Sequence, residues 1–334
     1  MNILAFESSC DETAVAVVRD GRDVLSGVLV SQTDLHALYG GVVPEIASRS
    51  HMEVMTPLTR QALREADLSL SAVDAVAVTY APGLVGALLV GVNFAKTLAW
   101  SLRRPLIPVH HIRGHIAACA LADPSLAPPF VALVLSGGHT LLVHVRGRTE
   151  FDELASTRDD AVGEALDKVG RVLGLPYPGG VAMDALALAG DPARYPFPKV
   201  KVEDRPLDFS LSGLKTAALS LVNRAAQKKE SLCPQDLAAS FFHAIWEQME
   251  PRLVQALSQT QCRSLAVCGG VAASRFFSGR LAAFAEQKDV SLCIPPPALC
   301  GDNAQMIGAQ AYYEFLAGNV ADWSLNAVAQ KSLL

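Results

Sequence analysis

No two of the seven cysteines (Cys10, Cys119, Cys233, Cys262, Cys268, Cys293, Cys300) are spaced Cys-x-x-Cys, and the count is odd. That usage argues against a thiolate zinc knuckle and a disulfide framework, and it fits free thiols in a reducing cytoplasm. Neither Gly-x-x-x-x-Gly-Lys-[Ser/Thr] nor Gly-x-Gly-x-x-Gly occurs, which disfavours P-loop and Rossmann nucleotide sites. The chain opens without a basic segment and meets an acid at Glu7, so no signal peptide is expected. The longest apolar stretch, Gly83 to Ala95, is too short and too glycine-rich to span a bilayer, so no membrane association is expected. Basic residues are not in excess: 28 Lys and Arg face 33 Asp and Glu, a formal net charge of -5. A general polyanion binder is thereby excluded, and any nucleic-acid contact falls to a local basic patch or a partner.

What is present is core. Apolar residues make up 51% of the 334 and charged residues only 18%, which supports packed domains and excludes global disorder. At about 150 residues per domain the length suggests two. Ile3 to Phe6 and Ala14 to Val18 are apolar runs flanking the polar turn Glu7-Ser8-Ser9-Cys10-Asp11-Glu12-Thr13, the pattern of a β-hairpin with an acidic tip. A similar unit recurs as Phe130 to Leu135, Ser136-Gly137-Gly138-His139-Thr140 and Leu141 to Val145, which suggests a duplicated architecture. Between and after these units strands alternate with helices. Ala75 to Thr79, Leu106 to Val109 and Ser264 to Cys268 read as strands; Ala87 to Leu102, His111 to Leu121, Ala272 to Gln287 and Asn303 to Ala317 read as helices. The expectation is an α/β fold with mostly parallel sheets flanked by helices. The expected domains are 1–110 with about 303–325, and 111–302 with a largely helical insertion over about 159–259.

The histidines offer the clearest chemistry. His111 and His115 in His110-His-Ile-Arg-Gly-His are four apart, so on a helix both imidazoles share one face and can share a metal. His110 points about 100° away. The zincin motif uses the same spacing but places Glu after the first His as general base; Ile112 stands there, which argues against peptide cleavage. The alternative is a pair satisfied by backbone or carboxylates at a helix start. A third ligand must come from elsewhere, and Asp302 opens a helix after a Pro-rich turn. With Gln305 three residues on, Asp302 also reads as the N-cap of a capping box. One oxygen and two nitrogens suit zinc or ferrous iron with open positions.

The glycine turns are each open to two readings. Ser136-Gly-Gly-His139 lets backbone N–H groups approach an anion, or is an ordinary hairpin turn. Gly269-Gly270 before a helix could hold a nucleotide, or allow close strand–helix packing. Tyr177-Pro-Gly-Gly180 with Asp184 could clamp a ribose or phosphate, or be a loop and a first helical turn. Asp11 and Glu12 could hold a metal-bound phosphate or act as a base, or be a solvated turn. Lys199, Lys201, Arg205, Lys215, Arg224, Lys228 and Lys229 form a modest candidate for phosphate contact.

Eight motifs in one order then carry a resemblance: Met1-Asn-Ile-Leu-Ala-Phe-Glu-Ser-Ser-Cys-Asp-Glu-Thr, Pro82-Gly-Leu-Val-Gly-Ala-Leu-Leu-Val-Gly, His110-His-Ile-Arg-Gly-His, Leu135-Ser-Gly-Gly-His-Thr, Asp167-Lys-Val-Gly-Arg, Tyr177-Pro-Gly-Gly, Phe209-Ser-Leu-Ser-Gly-Leu-Lys-Thr and Cys268-Gly-Gly-Val-Ala. Over residues 1 to about 320 the chain resembles the TsaD family of bacterial tRNA threonylcarbamoyladenosine transferases, once called glycoproteases. The resemblance implies two actin-like domains of the acetate kinase, sugar kinase and Hsp70 type, each a mixed five-stranded-type sheet flanked by helices. It implies transfer of a threonylcarbamoyl group from threonylcarbamoyl-adenylate to the exocyclic amine of the adenosine 3′ of the anticodon, in tRNAs reading codons that begin with A. It further implies TsaB-like and TsaE-like partners, a TsaC-type synthase supplying the adenylate, and a cytoplasmic setting. Carried over by position, His111, His115 and Asp302 would bind one divalent metal, iron(II) or zinc. Val134, Leu135, Ser136, Gly137 and Gly138 would hold the substrate, and Asp167, Gly180 and Asp184 the nucleoside of an adenylate or of ATP with magnesium. Ser274 stands where the family usually has Asn, Gly301 where Thr is common and Val181 where Pro is common.

The chemistry implied is direct. An aromatic exocyclic amine is a poor nucleophile, so the acyl carbonyl needs activation by a Lewis acid and by backbone amides at Ser136 to Gly138. AMP is a good leaving group, no enzyme nucleophile is needed, and Asp11 is the candidate base. The rivals are an ATP-dependent small-molecule kinase on the same fold, with Asp11 and Asp167 near magnesium, a metalloprotease, and a non-catalytic scaffold.

Overall fold

The computed structural model describes residues 1–199, 202 and 204–333, so Lys201 of the basic group lies outside the described residues. Two compact units emerge. The first holds residues 1–128, 147–151 and those from Gly301 on, and the second holds Pro129–Arg146 and Asp152–Cys300. The division runs at Pro128 instead of residue 110, because the helix beginning at His111 packs on the C-terminal helix and on strands of the first sheet.

In the first unit β1 (Asn2–Glu7), β2 (Glu12–Arg19) and β3 (Asp23–Ser31) are followed by α1 (Thr33–Ala37) and α2 (Pro44–Glu65). Then come β4 (Ala75–Ala81), α3 (Val85–Leu102), β5 (Leu106–His110) and α4 (His111–Ala122). The sheet order is β3-β2-β1-β4-β5. The β1–β2 hairpin is antiparallel with Phe6 opposite Val15, and β4 joins β1 in parallel with Val78 opposite Phe6. Ile3 to Phe6 and Ala75 to Val78 are fully buried. Their unbroken apolar character follows, since a strand covered on both faces has no polar side to present. By length and composition α3 could cross a membrane; its Val92, Ala95 and Ala99 are packed into the core of this unit.

The second unit contains β6 (Phe130–Leu135), β7 (Thr140–Val145), β8 (Phe151–Ser156), α5 (Val162–Val172), α6 (Gly179–Ala187), α7 (Ser212–Lys228) and α8 (Pro234–Thr260). It ends with β9 (Ser264–Cys268), α9 (Arg275–Lys288), β10 (Ser291–Cys293) and α10 (Pro297–Cys300). Its sheet order is β10-β9-β6-β7-β8, the same hairpin-plus-two-parallel-strands arrangement as in the first unit. The duplication seen in the two hairpins therefore extends to all five strands of each sheet. The helix expected from Ala272 is broken: Gly270–Ala273 form a 3₁₀ turn, and α9 starts at Arg275 with Ser274 as its N-cap, accepting from the Phe277 N–H. The final helix, α11 (Ala304–Leu316), returns to the first unit and packs on α4 and β1.

Candidate metal centre

β5 delivers the chain directly into α4, so the two imidazoles of α4 stand in its first and second turns. Both are buried. Their rings meet edge to face with centroids 4.6 Å apart. Asp302 completes a triad in which one donor atom from each residue lies within 4.8 Å of the others. Its Oδ1 is 3.4 Å from His111 Nε2 and 3.1 Å from His115 Nε2.

The capping-box reading of Asp302 does not hold. The N-cap of α11 is Asn303, whose side chain accepts from the Met306 N–H at 2.9 Å. Asp302 is one residue outside the helix, and its carboxylate is left for the imidazoles.

The side chain beneath His111 is Glu7, at the end of β1. Its Oε1 accepts from the Ser9 N–H at 2.6 Å, and its Oε2 accepts from the Thr79 hydroxyl at 2.5 Å and from His111 Nδ1 at 3.0 Å. Ser9 Oγ lies 3.2 Å from the same nitrogen. A proton held on Nδ1 leaves Nε2 as the ligating nitrogen, the arrangement of a carboxylate behind a metal-bound histidine. Sequence reasoning misses Glu7 as a site residue. Its one signal there is an acid directly continuing a fully apolar strand.

Electrostatics favour positive charge between the two carboxylates. Burial acts to lower the His111 pKa, but the Asp302 and Glu7 charges outweigh it and hold the ring well above the usual imidazole range. Burial likewise opposes ionisation of Asp302, and His111 and His115 hold its carboxyl well below the usual range. Glu12, at the start of β2, is pushed up to about 9, by burial first and then by the Asp302 and Asp11 charges. Asp11 sits in the β1–β2 turn, with its carbonyl accepting from the Gln32 N–H at 3.0 Å.

The donor set fits a divalent cation. Both ring nitrogens of His115 are buried without a hydrogen-bond partner, because Nε2 approaches Asp302 off the line of a hydrogen bond. A buried imidazole that satisfies neither nitrogen is costly unless a ligand takes one lone pair.

The remaining sequence candidates lie in the second unit. Val134 and Leu135 end β6 and Ser136 follows it, all three buried, while Gly137 and Gly138 are exposed. A Cβ at either glycine would meet nothing within 4 Å. Asp167 Oδ1 accepts from the Gly180 N–H at 2.9 Å, tying α5 to the start of α6. Asp184 is engaged at the N-terminus of α9: it accepts from the Ser274 hydroxyl and from the N–H groups of Arg275 and Phe276 at 3.0 and 3.1 Å. Asp167 with Gly180, and Asp184 with Ser274, are thus brought together as direct partners. In the basic group, Lys215 is ion-paired with Asp160, which also takes Lys168 at 2.7 Å. Asp160 thus lies between two ammonium groups.

Comparison with known proteins gives one answer. The family model described as tRNA N6-adenosine threonylcarbamoyltransferase matches residues 23–309. A protein of that name from Moorella thermoacetica is 51% identical over 327 residues, covering 98% of this chain and 96% of its own length. One from Clostridium novyi is 47% identical over 334 residues, covering 100% and 98%. Among solved structures, the Acidaminococcus fermentans (R)-2-hydroxyglutaryl-CoA dehydratase component A aligns with a TM-score of 0.54 at 15% identity, over 94% of this chain and 98% of that one. T. kodakarensis HypF aligns with a TM-score of 0.63 at 15% identity, over 97% of this chain and 49% of that one. At such identities these structures speak for the fold alone, and that fold is actin-like.

Proposed function

Since this chain belongs to the family of tRNA N6-adenosine threonylcarbamoyltransferases, and is thus a transferase of tRNA threonylcarbamoylation, we propose the following course for its reaction. The donor is threonylcarbamoyl-adenylate, and the acceptor is the exocyclic amine of the adenosine 3′ of the anticodon in tRNAs reading codons that begin with A. The carrying observation is the convergence of His111, His115 and Asp302 within 4.8 Å.

These three side chains would hold one divalent ion, iron(II) or zinc, both of which accept imidazole and carboxylate together. Bound there, the ion supplies Lewis-acid polarisation of an acyl oxygen. Glu7 fixes the His111 ring by holding its Nδ1 proton. The backbone N–H groups of Ser136 to Gly138 stabilise charge developing on the acyl oxygen. Val134 to Gly138 bind the donor, and Asp167, Gly180, Asp184 and Ser274 form the seat of its nucleoside. Ser274 takes the role of the family's usual Asn through its N-cap hydrogen bond and its contact with Asp184. The amine nitrogen attacks the carbamoyl carbon, the bond from that carbon to the adenylate oxygen breaks, AMP departs, and Asp11 accepts the amine proton. No covalent enzyme intermediate is needed, because the mixed anhydride is already activated.

The reaction takes place in the cytoplasm with TsaB-like and TsaE-like proteins, and a TsaC-type synthase supplies the donor. The test is reconstitution of the purified chain with these partners, threonylcarbamoyl-adenylate and tRNA, followed by nucleoside mass spectrometry with and without a chelator. Modified adenosine that forms without this chain, or equally under chelation, would refute the transferase role or the metal role respectively.

A further inference from the structure

We propose that the ion pair between Arg113 and Glu314 is a positioning device that locks α4 against α11 and so sets the distance from the imidazole pair to Asp302. The inference rests on the metal reading above. His111 and His115 share one helix, so their mutual spacing is intrinsic to α4. Asp302 arrives on the segment leading into α11, so its distance from them depends on how the two helices are registered.

The helices are closely packed at that point. A Cβ on Gly114, between the two histidines, would stand 2.7 Å from Ile307 Cδ1 and 3.3 Å from Met306 Cγ. This packing holds the helices together near the start of α11, while hydrophobic burial as such is non-directional. Arg113 provides direction. Its Nη1 donates to Glu314 Oε1 at 3.0 Å, its Nη2 donates to the Leu333 carbonyl at 2.8 Å, and its guanidinium lies 4.9 Å from the centroid of the Phe151 ring. The Glu314 side chain is 3% exposed. Its Oε1 also accepts from Gln310 Nε2 at 2.8 Å, and its Oε2 accepts from Asn319 Nδ2 at 2.6 Å. Gln310 and Asn319 thus hold Glu314 within and just beyond α11, Arg113 alone carries it to α4, and the planar guanidinium fork tolerates little displacement. Glu314 lies near the end of α11 opposite to Asp302, so this contact fixes the direction of the helix axis as well as its position.

Removing one partner leaves a buried charge alone and endangers the fold, whereas replacing both with apolar residues is generally tolerated. The decisive variant is therefore Arg113→Met with Glu314→Leu. Cobalt(II) is the probe: its affinity is read by competition with a chelator, its coordination by the ligand-field spectrum, and folding by the thermal midpoint. The expected result is a folded double variant that binds cobalt about 10-fold more weakly, the low end of what losing a partner in direct contact with a ligand costs, with altered ligand-field bands. A folded double variant with the parent's affinity and spectrum would overturn the proposal and leave the metal reading intact. A parent that binds cobalt no better than its His115→Ala variant would overturn both. If the double variant fails to fold, Arg113→Lys, which keeps the charge but has no planar fork to span Glu314 and the Leu333 carbonyl, takes its place in the same measurements. Weaker cobalt binding with altered bands is again expected, and the parent's affinity and spectrum in that variant would equally overturn the proposal.

Discussion

His111 Nδ1 and Glu7 Oε2 lie 3.0 Å apart, with the Glu7 side chain fully buried and that of His111 nearly so. The contact joins the end of β1 to the first turn of α4 and decides which imidazole nitrogen faces Asp302. The acid of the hairpin that matters most for the site is therefore Glu7, at the root of the turn.

Replacing Glu7 by Gln should test this. The amide can keep one hydrogen bond to His111, but it loses the charge that fixes the ring. Metal affinity is expected to fall about 10- to 100-fold, as for other outer-shell carboxylates. Chelator competition on the purified variant reads the change, and an affinity equal to the parent's would show that Glu7 is structural only.

His111→Ala and His115→Ala should each abolish stoichiometric iron or zinc, measured by elemental analysis after dialysis. Lewis-acid assistance is worth several kcal/mol, so transfer to tRNA should fall by about 10²- to 10³-fold or more. After chelator treatment the parent should regain activity on adding iron(II) or zinc, and neither variant should. Full activity in a metal-free variant would remove the ion from the reaction.

Much of this was legible in the residues themselves. Strands covered on both faces announce themselves as unbroken apolar runs, which is why both hairpins and β4, β5 and β9 were readable. The His111–His115 spacing placed the two imidazoles side by side for the same reason of periodicity. The cap reading of Asp302 fails because Asn303, read there as the first helical residue, is itself an N-cap residue type, and α11 starts one residue later, at Ala304. The contact of Glu7 with His111 spans 104 residues, and that of Arg113 with Glu314 spans 201. No local pattern encodes either. The start of α9 differs from the expected one because Gly269-Gly270 reads equally well as a turn leading straight into a helix.

His51 predicts a pH dependence of stability. Its Nε2 donates to the Cys10 carbonyl at 2.9 Å, and its Nδ1 accepts from the Thr13 hydroxyl at 2.7 Å, so the neutral ring is fully satisfied. Burial lowers its pKa below the ordinary 6.5, outweighing the Cys10 hydrogen bond and the nearby Glu7 and Asp11 charges. Below 6.5 the unfolded chain takes up a proton that the folded chain refuses. The stabilising contribution is therefore complete above 6.5 and is lost as pH falls toward the folded value, by up to about 1.4 kcal/mol per unit. Urea midpoints at pH 7.5 and 5.5 should show a smaller acid loss in His51→Gln than in the parent. An equal loss in both would assign it to other groups.

Two glycine-to-alanine variants should separate fold from substrate in the second unit. Gly269 has φ +93°, and a Cβ there would stand 2.3 Å from the Leu135 carbonyl oxygen and 2.7 Å from its carbon. Backbone cannot yield as a side chain can, so Gly269→Ala should cost about 2–4 kcal/mol and lower the thermal midpoint. Gly137 has no positive φ, and a Cβ there meets nothing in the chain. Gly137→Ala should therefore leave stability within about 0.5 kcal/mol. The fold thus leaves open space over Gly137, and in the proposed function the donor lies against this backbone. The added methyl should then raise KM for threonylcarbamoyl-adenylate while the thermal midpoint holds. An unchanged KM in Gly137→Ala would take the Ser136 to Gly138 turn out of the donor site.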